Sequence, residues 1–171
     1  PPSARKHPLK EYLTAIQLYN KDSYTKFIPR KIHTATKTNI ALFLNRLFSC
    51  DGTIYHDENR NSWRISYASA SRSIIDNVQS LLVRFGILST IRKKINRSNK
   101  KTFHSFELEI HATHIPIFIQ EIGFFGEKTK RQRRALRDIP KVRNPNVDTI
   151  PKEIWQQYKP ESWTTIGKTM G

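Results

Sequence analysis

Apolar residues recur three and four apart at Ile40, Phe43, Leu44, Leu47 and Phe48, the spacing of one face of an α-helix. Thr38 is a suitable N-cap for this helix, which the pattern carries through Cys50. Asp51-Gly52 ends it, with glycine where a left-handed conformation costs least. A second stripe, Ile74, Ile75, Val78, Leu81, Leu82 and Phe85, predicts another helix, capped by Ser69 or Ser71 and stopped by Gly86. Between the two stripes the period changes. Residues 53–56 and 63–68 read as strands, the second alternating apolar and polar positions, and residues 57–62 carry turn chemistry, so the pair predicts a hairpin. Residues 87–95 and 102–110 predict a second hairpin, with the polar, basic stretch 96–101 as its loop. A helical stretch follows at 113–123, where Pro116 lies near the start and is tolerated, and then a basic helix from about Glu127 to Arg137. Helix, hairpin, helix, hairpin, helix, helix is the order of an α+β domain, a four-stranded antiparallel sheet with its helices gathered on one face.

The flanks carry weaker patterns. Residues 1–36 read as an arm; 7–18 predicts a short helix with Leu9, Leu13 and Ile16 on one face, broken at Lys26-Phe27-Ile28-Pro29. Residues 37–138 form the domain proper. Residues 139–171 are a Pro-rich extension, lightly structured except around Ile154-Trp155. No internal repeat is visible. No apolar run approaches the roughly 20 residues a bilayer requires, and no signal-peptide stretch follows Pro1, so the expected setting is the cytoplasm. The lone Cys50 excludes an internal disulfide and a multi-cysteine zinc site.

Charge narrows the partner. Thirty Lys and Arg against fourteen Asp and Glu leave a net charge of +16, and the self-repulsion of such a chain is relieved by a polyanion. Nucleic acid fits, which implies association with the nucleoid; an anionic membrane fits poorly, because the basic residues do not line one amphipathic helix.

Parity then sorts the sheet. In the second strand Trp63, Ile65 and Tyr67 share one face and Arg64 and Ser66 the other; in the third strand Thr90, Arg92 and Lys94 form the polar set. The polar face, extended by Tyr55 and Asp57, is the candidate DNA-reading surface, since alternate side chains of a sheet in the major groove reach base edges. Lys100 and Lys101 at the second hairpin's tip are candidates for phosphate contact. So are Lys130, Arg131 and Arg134 in the basic helix. Glu107 and Glu109 in the fourth strand either accept from cytosine amino groups or face water. His104, His111 and His114 match no zinc spacing. Asp51 is the candidate for chemistry. A carboxylate at a helix C-terminus opposes the macrodipole at a cost of about 0.3–1 kcal/mol. Two such helices side by side would bring two acids together, a geometry Mg²⁺ suits because it takes one or two carboxylates plus water and phosphate. The plainer alternative is a solvated Asp-Gly turn.

Residues 44–52, Leu-Asn-Arg-Leu-Phe-Ser-Cys-Asp-Gly, resemble the motif of LAGLIDADG homing endonucleases, and the ββαββα order behind them matches that fold. Ser23-Tyr24-Thr25-Lys26-Phe27-Ile28-Pro29, the stretch 76–87, Gly123-Phe124-Phe125-Gly126-Glu127-Lys128 and Ile150-Pro151-Lys152-Glu153-Ile154-Trp155 are similar to the C-terminal half of the endonuclease domain of inteins in bacterial replicative DNA helicases. The resemblance implies a site-specific double-strand DNA endonuclease module. Asp51 would bind the catalytic divalent metal, Mg²⁺ or a similar ion, the Gly52 carbonyl would assist, and Lys128 would stabilise charge or order the attacking water. It also implies a second repeat, upstream in the same chain or in a homodimer. A DNA- or RNA-binding module of the same fold without cleavage is the alternative. Protein splicing is not expected of residues 1–171 themselves. The motif's usual small residues are replaced by Asn45 and Arg46, which bears on how closely two motif helices approach.

Overall fold

The computed structural model describes residues 7–98 and 101–139. Lys100, the side chain of Lys101 and the extension from 140 onward lie outside the described residues. The elements are α1 (Pro8–Ala15), α2 (Arg30–His33), α3 (Lys37–Asp51), β1 (Gly52–Asp57), β2 (Ser62–Ser69), α4 (Arg72–Val83), β3 (Ser89–Ser98), β4 (Lys101–Ile110), α5 (Ile115–Glu121) and α6 (Lys128–Asp138). The four strands form one antiparallel sheet, as the alternation of periods predicts, and they lie in the order β1-β2-β4-β3, which the periods leave open.

Caps decide where the helices begin. Thr36, rather than Thr38, caps α3: its side chain accepts from the Asn39 amide at 3.3 Å. Of the two serines before α4, Ser71 is the cap. Its hydroxyl accepts from the Ile74 amide at 3.3 Å and donates to the Lys26 carbonyl at 2.5 Å, while Ser69 accepts from the Ser71 amide at 3.1 Å. Gly86 ends the α4 region with φ +70°, as a left-handed terminator does. The second hairpin is longer than its polarity suggests. Within the expected loop 96–101, Ser98 pairs with Lys101, because backbone pairing continues past the last apolar residue wherever the turn allows it.

One core cluster joins these elements. Ile40, Leu44 and Phe48 of α3 and Ile75, Val78 and Leu82 of α4 bury against Ile54, Ile65, Tyr67 and Leu108 on the inner face of the sheet. Phe48 is the hub, with ring centroids 4.9 Å from Phe118, 5.5 Å from Tyr67 and 6.4 Å from Phe124; such pairs contribute about 0.5–1.5 kcal/mol each beyond simple burial. The incoming segment is tied to this core from residue 26 onward. Ile28 is buried and its amide donates to Asn77 Oδ1 at 3.1 Å, and Arg84 donates to the His33 carbonyl at 2.7 Å. By contrast α1 buries no side chain. The helices and the core take one face of the sheet and leave the other to solvent.

Candidate functional site

Asp51 is the last residue of α3, and its side chain is exposed. Gly52 follows with φ −78° and ψ 167°, so it is extended, not left-handed as the Asp-Gly pair suggests. Glycine is required for another reason. A Cβ there would lie 2.7 Å from the Phe48 carbonyl oxygen and 2.8 Å from its ring, closer than real side chains come. The absence of that Cβ lets the chain pass from helix to strand over the core's central ring. Gly52 pairs with Tyr67 across β1 and β2. Burial pushes the Tyr67 hydroxyl up to about 12, and the charges of Asp51 and Cys50 add to the effect. Asp51 therefore acts electrostatically on a neutral, buried phenol.

Lys128, the first residue of α6, reaches the same point. Its Nζ donates to the carbonyls of Ser49 at 2.6 Å, Phe48 at 3.1 Å and Cys50 at 3.3 Å. An ammonium has three donors, and all three go to the last turn of α3, where the macrodipole is negative and, of the three carbonyls, that of Phe48 also accepts from the Gly52 amide. Lys128 is thus a charged brace beside Asp51.

The loop 122–126 is fastened along the flank of α3. Asn45 Nδ2 donates to the Ile122 carbonyl at 2.9 Å, and Ser49 Oγ accepts from the Phe125 amide at 2.7 Å. The amide of Asn45 is therefore turned toward its own domain. Arg46 lies over the Phe125 ring at 4.2 Å. Together with Ala41, Leu42, Ile122 and Phe124 these residues line an open groove of about 340 Å³, and Leu42 and Phe125 are 54% and 64% exposed.

The outer face of the sheet holds the other candidates. Tyr55, Thr90, Arg92 and Lys94 are exposed there. Arg64 is not free: its guanidinium bridges Glu109, and its Nε lies 2.9 Å from Asp57 Oδ2, close enough for an ion pair but out of line for a hydrogen bond. Asp57 is thereby engaged as well. Ser66 is only 7% exposed, which removes it from the accessible surface. Glu107 and Glu109 neither stand free nor simply face water, since Lys94 meets Glu107 at 2.6 Å and Arg92 meets Glu109 at 3.7 Å. Pairing these groups requires β4 to lie between β2 and β3. On α6, Lys130 and Arg134 are exposed beside Glu127 and Asp138, and Arg131 donates to the Ile54 carbonyl at 3.4 Å, lying against the β1 edge. His111 and His114 hold loop ends, bonding Thr90 at 2.8 Å and the Gly86 carbonyl at 2.8 Å respectively.

No cluster of three metal-ligating side chains occurs among the described residues. Mg²⁺ takes one or two carboxylates and completes its octahedron with water and phosphate, so the exposed Asp51 fits such an ion as one ligand, with room for a second acid supplied from elsewhere. No helix among the described residues is long and apolar enough to cross a membrane.

Comparison with known proteins agrees with this geometry. The model of the LAGLIDADG-like domain matches residues 38–123, from the motif helix through both hairpins to α5. The chain is 27% identical over 157 residues to the replicative DNA helicase DnaB of Synechocystis sp., covering 90% of this chain and 18% of that protein. It is 27% identical over 162 residues to DnaB of Rhodothermus marinus, covering 92% and 17%. It is 30% identical over 145 residues to the replication factor C small subunit of Methanocaldococcus jannaschii, covering 84% and 7%. The chain spans less than a fifth of the length of each of these relatives. With a family match over half the chain, and with the fold's motif helix and hairpins in their expected order, the chain belongs to the LAGLIDADG-like domain family, a module of homing-endonuclease type.

Proposed function

We propose that this chain is one half of a site-specific, divalent-metal-dependent endonuclease that cuts both strands of duplex DNA, housed as intein material within a replication protein. Residues 37–138 are the repeat, and the segment before them leads in from an upstream repeat. The observation that carries the reading is the exposed Asp51 carboxylate at the end of a helix whose last turn is braced by Lys128 and whose flank is an open groove. A second repeat, packed on Leu42 and Phe125, would bring its own acid beside Asp51.

Asp51, with help from the Gly52 carbonyl, would hold Mg²⁺ or a similar divalent ion, which when bound polarises the phosphodiester and lowers the pKa of water. The chain's own contribution is positional. Lys128 holds the last turn of α3 and adds positive potential where charge develops on the phosphate. Arg92 and Tyr55 face the base edges, and Lys94 stands on the same face, paired with Glu107. Lys130 and Arg134, on a helix with six cations and one acid, grip backbone. The same assignment is extended to Lys100 and Lys101.

The test uses the complete natural protein with its upstream repeat, and a supercoiled plasmid carrying an uninterrupted copy of the host gene's insertion site. Mg²⁺-dependent conversion to linear product is expected, with Asp51→Asn abolishing cutting while duplex binding persists. No nicking or cutting by the unaltered protein would overturn the reading; cutting that survives Asp51→Asn would overturn the role of Asp51.

A further inference from the structure

Among the described side chains the outer face of the sheet is not basic, although the chain as a whole is. Among the described side chains its charges are Asp57, Arg64, Arg92, Lys94, Glu107 and Glu109, three acids and three bases, in a protein of net charge +16. The strand order produces the cancellation. With β4 between β2 and β3, its two glutamates lie amid cations from both neighbours. Glu109 is bridged by Arg64 from one side and approached by Arg92 at 3.7 Å from the other. Glu107 takes Lys94 at 2.6 Å. The acids are the deeper partners: Glu107 and Glu109 are 19% and 20% exposed, against 49% for Lys94 and 56% for Arg92. A phosphate approaching this face meets cations that are already neutralised.

We propose that Glu107 is a specificity-determining residue that withholds Lys94 from DNA until a base edge offers the carboxylate a replacement donor. The inference rests on duplex DNA lying across this face, as in the preceding reading. Transferring Lys94 to a phosphate leaves a largely covered carboxylate without its partner, which is costly. The phosphate backbone offers only acceptors and cannot offset that loss. An exocyclic amino group in the major groove, cytosine N4 or adenine N6, can donate to Glu107 and does offset it. The exchange is therefore favourable where the sequence presents such a group and unfavourable elsewhere. Electrostatic attraction to any sequence falls to α6 and the other cations, while the sheet stays silent toward nonspecific DNA. Arg64, clamped between Asp57 and Glu109 and 12% exposed, stays in the protein and keeps the network in register.

The experiment measures binding of the full 171-residue chain to a labelled random-sequence duplex across a series of KCl concentrations, for the unaltered chain, Lys94→Gln, Glu107→Gln and the double variant. Each cation placed on a phosphate adds about 0.9 to the slope of log affinity against log salt. Lys94→Gln alone is expected to leave the slope unchanged, because Lys94 is not on phosphate. Glu107→Gln should steepen it by about 0.9, and adding Lys94→Gln should remove the gain. If Lys94→Gln lowers the slope equally in both backgrounds, or Glu107→Gln matches the unaltered chain, the inference is overturned while the DNA-binding reading stands. An unaltered chain that shows no salt-dependent duplex binding overturns that reading, and this inference with it. Should Glu107→Gln fold poorly, Lys94→Gln alone decides: an unchanged slope supports the proposal, and a drop of about 0.9 overturns it.

Discussion

Replacing Lys128 with methionine keeps most of the side chain's length and apolar stem and removes the charge. In the structure the ammonium serves three carbonyls of the last turn of α3, the nearest at 2.6 Å. A hydrogen bond to a charged group contributes about 1.5–3 kcal/mol, and a cation at a helix C-terminus about 0.3–1 kcal/mol, rising toward 2 kcal/mol when partly buried. These describe overlapping effects and are not summed. Water recovers part of the loss at the outer carbonyl, so about 2 kcal/mol is expected. For a chain of this size that lowers the melting temperature by about 4–8 °C. Thermal and urea unfolding of the full chain measure the first effect, and amide exchange measures the second. The Gly52 amide, which donates to the same Phe48 carbonyl that Lys128 engages, should exchange faster in the variant. A midpoint within about 1 °C of the unaltered chain, together with unchanged exchange at Gly52, would refute the brace and leave Lys128 with nothing to hold but substrate.

Two further substitutions probe how the site is seated. Gly52→Ala forces a Cβ to 2.7 Å from the Phe48 carbonyl; a cost of about 1–3 kcal/mol is expected from overpacking, read in urea unfolding, and an unperturbed midpoint would show that the helix-to-strand junction yields freely. Ser71→Ala removes the α4 cap and the donor to the Lys26 carbonyl, so about 2 kcal/mol should be lost, with faster exchange of the Ile74 amide. A loss confined to a few tenths would show that the tie to residue 26 contributes nothing.

Some of this protein was written locally. The stripe from Ile74 to Phe85 and the alternation from Trp63 to Ala68 reveal their elements because a helix and a strand repeat at periods fixed by the backbone, and water enforces the apolar face. The order of those elements, with the Leu44–Gly52 motif, was enough to name the fold and to mark Asp51. The cap at Thr36 lay two residues from the one expected because several hydroxyls compete locally, and only the helix's packing selects among them. Partners distant in the chain were out of reach. Nothing near Gly52 announces that its missing side chain makes room for Phe48, since that contact exists only after the chain turns back. Lys128 and Ser49 are 79 residues apart, and Arg64 and Glu109 are 45 apart. Parity assigned Arg64 and Arg92 to one surface and left Glu107 and Glu109 open, and whether opposite charges meet depends on which strands are neighbours. In the order β1-β2-β4-β3, α3 packs on β1 and β2, and α4 on β2, β3 and β4. The tertiary structure alone therefore decided that the described charges on the polar, DNA-reading candidate face are paired with one another, because charge pairing is a property of proximity in space and composition records only the totals.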